Sequence, residues 1–174
     1  MSKENELPRR KDIRLKFYDY SSPGAYFVTI CTKNRTTLFS IVGADTLSAL
    51  PASSLSSAVV ENAFLETVAR YDGVEAPVYV LMPNHFHAII TFSRADKESA
   101  PTSLSAFVRD FKRHSTSAYA DLVKQGRLPP FDGQLWQRSY YDHIIRNRDD
   151  YLAIAKYIHE NPSNWSSDEL YCDE

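Results

Sequence analysis

The sequence predicts an α+β protein of the ferredoxin-like (RRM-like) kind: an antiparallel βαββαβ sheet with one helix added at its C-terminal end. Three observations predict it. Short β-branched and aromatic runs alternate with two segments of helical periodicity. Two of those runs are separated only by Pro83-Asn84, which makes them a hairpin. A third helical segment follows the last run and stops at Asn161-Pro162.

The elements follow in order. Residues 1–13 are polar and expected to be flexible. Ser21-Ser22-Pro23-Gly24 is a turn cluster, and Ala25 to Thr32 (AYFVTICT) reads as the first strand. Thr36 to Ser40 is expected to continue it beyond a turn at Lys33-Asn34-Arg35. Residues 42–55 are small and Ser-rich, as in a loop. Ala58 to Tyr71 sets Val60, Phe64 and Val68 at helical spacing, and Asp72-Gly73 ends that helix. Val78 to Met82 is a short apolar strand, and His85 to Phe92 (HFHAIITF) is its hairpin partner. Residues 93–101 are charged linker. Ser103 to Lys124 carries Leu104, Phe107, Val108, Phe111, Tyr119 and Leu122 as an apolar stripe. Gly126 to Gly133 is a Pro/Gly loop, and Leu135 to Ile145 is strand-like. Asn147 can cap a last helix, Arg148 to Glu160. The order is β-α-β-β-α-β-α, read as a single domain over 1–174 with a short acidic tail at 162–174.

Composition narrows the classes. The chain has 174 residues, 43% hydrophobic and 24% charged, as in an ordinary globular protein. No apolar run approaches the roughly 20 residues needed to cross a bilayer, so no membrane partner is expected. The start has no apolar stretch behind its charges, so no secretory signal is expected. Cys31 and Cys172 form neither a disulfide framework nor a CxxC metal site, and a cytoplasmic home is expected. A formal net charge of −2 argues against a general duplex-DNA binder. The charge is uneven: residues 1–16 hold six basic side chains against three acidic, while the last twelve hold four acids and no base.

His85-Phe86-His87 is the sharpest local signal. Alternate strand residues share one face, so both imidazoles project together while Phe86 enters the opposite layer. Two neutral imidazoles at that spacing can share a divalent cation, or be two ordinary histidines of an antiparallel strand. A histidine-triad hydrolase would need a third alternating histidine, and Ile89 stands there. A two-histidine phosphoesterase would need a second His-x-Thr/Ser strand; His114-Ser115-Thr116 falls on a helix instead. In the last helix, Tyr157 and Asn161 are four apart and share a face beside the stripe of Tyr151, Ile154, Ala155 and Ile158. The residues alone leave Tyr157 open to a packing role and Asn161 to that of a helix terminus.

Taken together, these segments resemble a family. HFHAII after a turn, followed by RSYYDHIIRNRDDYLAIAKYIHENP, looks like the single-tyrosine HUH transposases, named for their His-hydrophobic-His motif, and among them the REP-associated tyrosine transposases. The likeness runs from YDYSSPGAYFVTICTKNR (18–35) through VLMPNHFH (80–87) and LWQRSYYDHIIRN (135–147) to the YIxxNP helix end. It closes with NWSSDELY (164–171), similar to the W-x-x-D-x-x-Y tail of one branch. It departs in the Ser-rich segment 42–57 and in its short acidic C-terminus.

The resemblance implies an HUH endonuclease fold in which the added helix is catalytic. His85, His87 and Asn161 would bind a divalent metal ion, Mg²⁺ or Mn²⁺, with Tyr157 as nucleophile. Tyr140, Tyr141 and Tyr151 rank lower because none has an amide or carboxylate four residues on. A free tyrosine has a pKa of about 10 and is a weak nucleophile when neutral, so a metal-assisted attack fits the parts. The implied product is a 5′-phosphotyrosine link with a free 3′-OH, and the implied partner is single-stranded or hairpin DNA. Arg109, Lys112, Arg113, Arg138, Arg146 and Arg148 are candidates to contact phosphates, and Trp136, Tyr140 and Tyr141 to stack bases. A domesticated hairpin-DNA-binding protein of the same fold, without cleavage, is the alternative. A homodimer that exchanges the last helix lies within the family's range, as does association with the bacterial nucleoid.

Overall fold

The structure, a computed structural model, describes residues 23–43, 55–93 and 103–171. Five strands and three helices build it: β1 (Gly24–Cys31), β2 (Val42–Gly43), α1 (Leu55–Ala69), β3 (Val74–Met82), β4 (His85–Phe92), α2 (Leu104–Lys124), β5 (Tyr141–Ile145) and α3 (Arg148–Glu160). The strands form one antiparallel sheet in the order β2-β3-β4-β1-β5. Strands β5, β1, β4 and β3 are the four of a ferredoxin-like βαββαβ fold, and β2 is a two-residue addition at one edge. The expected flexible segment 1–13, most of the Ser-rich loop, nearly all of the 93–101 linker and the last three acidic-tail residues lie outside the described residues.

Alternation along β4 assigns the two faces. Phe86, Ala88, Ile90 and Phe92 point into a large cluster with Val60 and Phe64 of α1 and Phe107, Val108 and Phe111 of α2. The Phe64, Phe86 and Phe111 rings meet at centroid separations of 4.7, 5.3 and 5.2 Å, within the range of favourable aromatic pairing. The other face carries a smaller cluster of Phe27, Val80, Met82, Ile89 and Ile158, covered by α3. His85 and His87 belong to this second face, beside Ile89 in the β4 alternation.

Four element boundaries differ from expectation, each for a physical reason. The segment Thr36 to Ser40 is not a strand: the amides of Leu38 and Phe39 both donate to the Pro83 carbonyl (2.9 and 3.1 Å), drawing it against the β3–β4 turn. Helix α1 starts at Leu55, inside the serine run. The Ser56 hydroxyl donates to the Leu38 carbonyl (2.8 Å), and Ser57 exchanges hydrogen bonds with the Ser40 backbone (2.7 and 3.0 Å). Strand β3 starts at Val74, upstream of Pro77. Its pairing with β4 shifts register between Glu75 and Val78, which accommodates the missing proline N–H. Only Tyr141–Ile145 of the expected strand 135–145 is a strand. Leu135 and Trp136 are buried in the α1/α2 layer, and Trp136 makes a lone bridge to Thr32. The carbonyls of Gln137, Arg138 and Ser139 accept from the Lys112 ammonium instead of a neighbouring strand (2.8, 3.4 and 2.9 Å).

The last helix matches expectation. Asn147 caps α3 by accepting from the Asp150 amide (2.9 Å). Asp149 and Asp150 lie in its first turn, favourably placed at the positive end of the helix dipole. Pro162 cannot continue the α-helix, and a 3-10 helix over Pro162–Ser167 turns the chain back towards the sheet. Among the described residues, no helix is long and apolar enough to cross a membrane.

Candidate active site

The site is built where the start of β4 meets the end of α3. His85 and His87 are both buried, at 0% and 2% exposure. Their rings lie 4.5 Å apart, as the i, i+2 strand spacing requires. His87 pairs across the sheet with Thr29, whose hydroxyl lies 2.9 Å from His87 Nδ1.

A chain of hydrogen bonds orients His85. The Asn84 side chain donates from Nδ2 to the Leu170 carbonyl (2.7 Å), which turns its amide oxygen towards His85. His85 Nδ1 then donates to that oxygen at 2.8 Å. The ring is therefore the tautomer with a bare Nε2 lone pair. Nε2 is buried and has no hydrogen-bond partner among the described residues. Such an outer partner on Nδ1 is the usual support of a metal-binding imidazole.

Two residues from the C-terminal side complete the cluster. Asn161, 3% exposed, donates from Nδ2 to Asp168 Oδ2 (2.9 Å). Its Oδ1 is a second buried atom without a partner among the described residues. Asp168 stands just beyond the 3-10 turn, and its Oδ1 accepts from the Leu170 amide (2.6 Å). Single ligand atoms of His85, His87 and Asp168 all lie within 4.8 Å of one another. Two imidazoles, the Asn161 amide oxygen and the Asp168 carboxylate make a donor set that fits a divalent cation. The residues present therefore suit such an ion.

Electrostatics support that reading. Burial pushes His85 down to about 4, only partly offset by the nearby Asp168 carboxylate. Burial, with His85 alongside, holds His87 well below its usual range too. Both imidazoles are thus neutral at pH 7, the form that binds a metal.

Tyr157 projects from α3 over this cluster. Its hydroxyl lies 3.4 Å from His87 Nε2, and its ring packs edge-on to Phe27 at 6.0 Å. The side chain remains 45% exposed. Burial, then the charges of Asp168 and Glu169, raise its pKa, so it is a neutral phenol at rest. It opens into a cavity of about 720 Å³ whose walls include Phe27, His87, Tyr141, Asn161, Asp168 and Gln137. Of the competing tyrosines, Tyr140 and Tyr141 line the same cavity, and Tyr151 packs into the small cluster under α3.

The expected phosphate contacts are not gathered at this cleft. Arg109 and Arg113 stand exposed on α2, which covers the opposite face of the sheet, and both pair with Asp110 (3.7 and 3.9 Å). Lys112 holds the three carbonyls of residues 137–139. Its ammonium also lies 5.5 Å from the Tyr140 ring centroid. Arg146 and Arg148 flank the start of α3; Arg148 is nine residues before Tyr157, about 13 Å along the helix axis. Arg138 is exposed beside Gln137 and Ser139, both of which line the cleft.

Asp168 is the site residue that the sequence reading did not single out. The W-x-x-D-x-x-Y tail contained the signal. Trp165 packs at a tilt against His85 (5.7 Å), Tyr171 packs on Trp165 (5.2 Å), and Asp168 between them reaches the cluster.

Comparison with known proteins agrees with this geometry. Residues 23–161 match the family model described as "Transposase IS200 like". An uncharacterized protein of Haemophilus influenzae (strain ATCC 51907 / DSM 11121 / KW20 / Rd) is 33% identical over 96% of each chain. The REP-associated tyrosine transposase of Escherichia coli (strain K12) is 30% identical over 55% of this chain and 48% of its own length. The solved structure described as a REP-associated tyrosine transposase bound to a REP hairpin shares the fold. Its TM-score is 0.57 at 20% identity, over 87% of this chain and 74% of that one. The match over residues 23–161, which contains His85 and His87, makes this protein a member of the IS200-like transposase family, and the His-His-Asp cluster supports an HUH-type enzyme that nicks single-stranded DNA.

Proposed function

We propose that the enzyme cuts single-stranded DNA beside a hairpin and rejoins it through a 5′-phosphotyrosine intermediate formed on Tyr157. The observation that supports this most is the Tyr157 hydroxyl, half-exposed to a cleft yet 3.4 Å from a buried imidazole of the His85–His87–Asn161–Asp168 cluster. His85, His87 and Asp168 would hold a divalent ion, Mg²⁺ or Mn²⁺, with the Asn161 amide oxygen beside it. When bound, the ion supplies Lewis-acid polarisation of the scissile phosphate and offsets its negative charge.

The chain's own residues do the rest. Asn84 keeps His85 in the tautomer with a free Nε2, and Thr29 orients His87. Helix α3 holds Tyr157 at the rim, with its ring braced on Phe27, so the phenol oxygen faces the cleft. In the chemical step the Tyr157 oxygen bonds to phosphorus as the phosphorus–O3′ bond breaks. The phenol proton leaves, and the departing 3′ oxygen takes up one proton. One phosphodiester is exchanged for another, so the energy of the link is kept. Attack by a 3′-OH on the phosphotyrosine reverses the step, and attack by a different 3′-OH transfers the strand. Arg138, exposed between the cleft residues Gln137 and Ser139, is the candidate phosphate contact. DNA reaching Arg109 or Arg113 would have to wrap around the sheet. Action in the cytoplasm at the nucleoid completes the reading, and a homodimer remains an expectation for sedimentation analysis.

Covalent trapping tests the proposal. The protein is mixed with labelled hairpin DNA carrying single-stranded flanks, taken from around its own gene, and Mn²⁺ or Mg²⁺. A metal-dependent protein–DNA adduct on a denaturing gel, absent in Tyr157→Phe and in His85→Ala/His87→Ala, is the expected result. Hairpin binding without any adduct across a broad target pool would favour the non-cutting binder.

A further inference from the structure

The wall between the cleft and the outside of the molecule has a second side. Gln137 and Ser139, which line the Tyr157 cleft, also line a separate cavity of about 580 Å³. Among the described residues, no apolar side chain lines that cavity. Its walls are Lys33 and Asn34 from the turn after β1, Asp132 to Gln134 from the loop after α2, and the 137–139 segment.

Both sides of this cavity are rigidly built. The 137–139 ridge is tied from behind by three hydrogen bonds from the Lys112 ammonium. The turn opposite is strained: Asn34 and Arg35 both adopt left-handed backbone angles (φ 56° and 57°) without being glycine. It is held there by Lys33 N–H on the Leu135 carbonyl (2.9 Å), Arg35 N–H on Thr32 (3.1 Å) and Thr36 N–H on Lys33 (3.2 Å). Strained backbone that its surroundings over-determine is characteristic of ligand clamps.

The chemistry of the lining indicates the ligand. Asn34, Gln134 and Gln137 carry amides, which offer a donor and an acceptor side by side, as the edge of a nucleobase does. Lys33 and Arg138 supply two positive charges against the single Asp132 carboxylate, a balance suited to a phosphodiester. We propose that this cavity is a nucleotide subsite. It seats one unpaired nucleotide of the DNA strand that crosses the 137–139 ridge from the Tyr157 cleft, reading its base through Gln134 and holding its phosphate with Arg138. The inference rests on the single-strand DNA reading above and adds to it a place where sequence is recognised.

Binding and sequencing test it. The full-length protein is incubated with a hairpin bearing a randomised ten-nucleotide single-stranded flank, and the bound fraction is sequenced. Salt dependence of binding is measured by fluorescence anisotropy on a recovered sequence. Wild type should show a base preference of about tenfold at one or more flank positions. Gln134→Ala should erase the preference at one position and leave the others. Arg138→Ala should keep every preference while lowering the logarithmic salt slope by about one. An unchanged preference profile in Gln134→Ala, or an unchanged salt slope in Arg138→Ala, overturns the subsite. Tyr157-dependent adducts on the recovered DNA keep these failures apart from failure of the cleavage reading: loss of adducts with flank preference kept removes cleavage and leaves the subsite standing, whereas loss of flank binding itself overturns the subsite.

Discussion

The two faces of the sheet share strand β4 but are made for different ends. The α1/α2 face is thick, aromatic and sealed: Phe64, Phe86, Phe107 and Phe111 are all fully buried. The α3 face has few buried apolar residues and sets polar groups among them, with His85, His87 and Asn161 each at 3% exposure or less. Alternation along one strand thus sends Phe86 to one layer and its two histidine neighbours to the other. Buried polar atoms without partners cost stability. They are tolerated on the thin face because the thick face carries the fold, which leaves the thin one free to hold unpaired ligand atoms for a cation.

Substitutions can sharpen or break this contrast. The largest effect is expected for Tyr157→Phe, which should lower adduct formation by roughly three orders of magnitude or more, as removal of an activated nucleophile does. Its unfolding midpoint should stay within about 2 °C, because the ring is retained and the hydroxyl faces the cleft. Phe111→Ala should do the opposite, costing roughly 3–5 kcal/mol of stability in urea titration through the cavity it leaves among Phe64, Phe86 and Trp136. A milder loss for Phe111→Ala than for a change in the α3 cluster, such as Ile158→Ala, would break the contrast.

Intermediate effects test the cation site. Asp168→Asn keeps its acceptor role towards Asn161 or Leu170 but removes the charge. Mn²⁺ affinity by calorimetry should fall on the order of tenfold to a hundredfold. An unchanged affinity would place Asp168 outside the ligand set. Acid should act on the same face. His85 titrates near 6.5 when unfolded and at about 4 when folded, so between those values the unfolded chain binds more protons. The stability this group contributes is complete above pH 6.5 and is lost as pH falls towards 4. Unfolding curves at pH 7 and pH 5 should show the drop, and His85→Gln should reduce it. The smallest effect is expected for Arg109→Ala/Arg113→Ala on the far face: less than about twofold in single-strand binding, below that of Arg138→Ala.

How far the sequence carried depends on whether a signal was local. Helix α3 was legible to the residue, because Asn147, the apolar spacing and Asn161-Pro162 are all close-range signals. The shared face of His85 and His87 followed from strand alternation alone. Lys112 was not legible as a clamp on residues 137–139, since that contact joins positions 25 to 27 apart. The irregular run from Leu135 to Tyr140 was hidden for the same reason: its bulky residues suit a strand, but Lys112 occupies the carbonyls. Pro77 concealed the first half of β3. Asp168 looked like one acid in an acidic tail, and only the 3-10 turn after Pro162 carries it back to the histidines.

The proposed strand cleavage puts covalent chemistry on the thin face, at Tyr157. The direct measurement is peptide mapping of the trapped adduct: nuclease trimming, proteolysis and mass spectrometry to find the residue that bears the nucleotide. The expected result is a deoxynucleotide phosphate on Tyr157, in the α3 peptide. A nucleotide on Tyr140, Tyr141 or Tyr151 instead would contradict it.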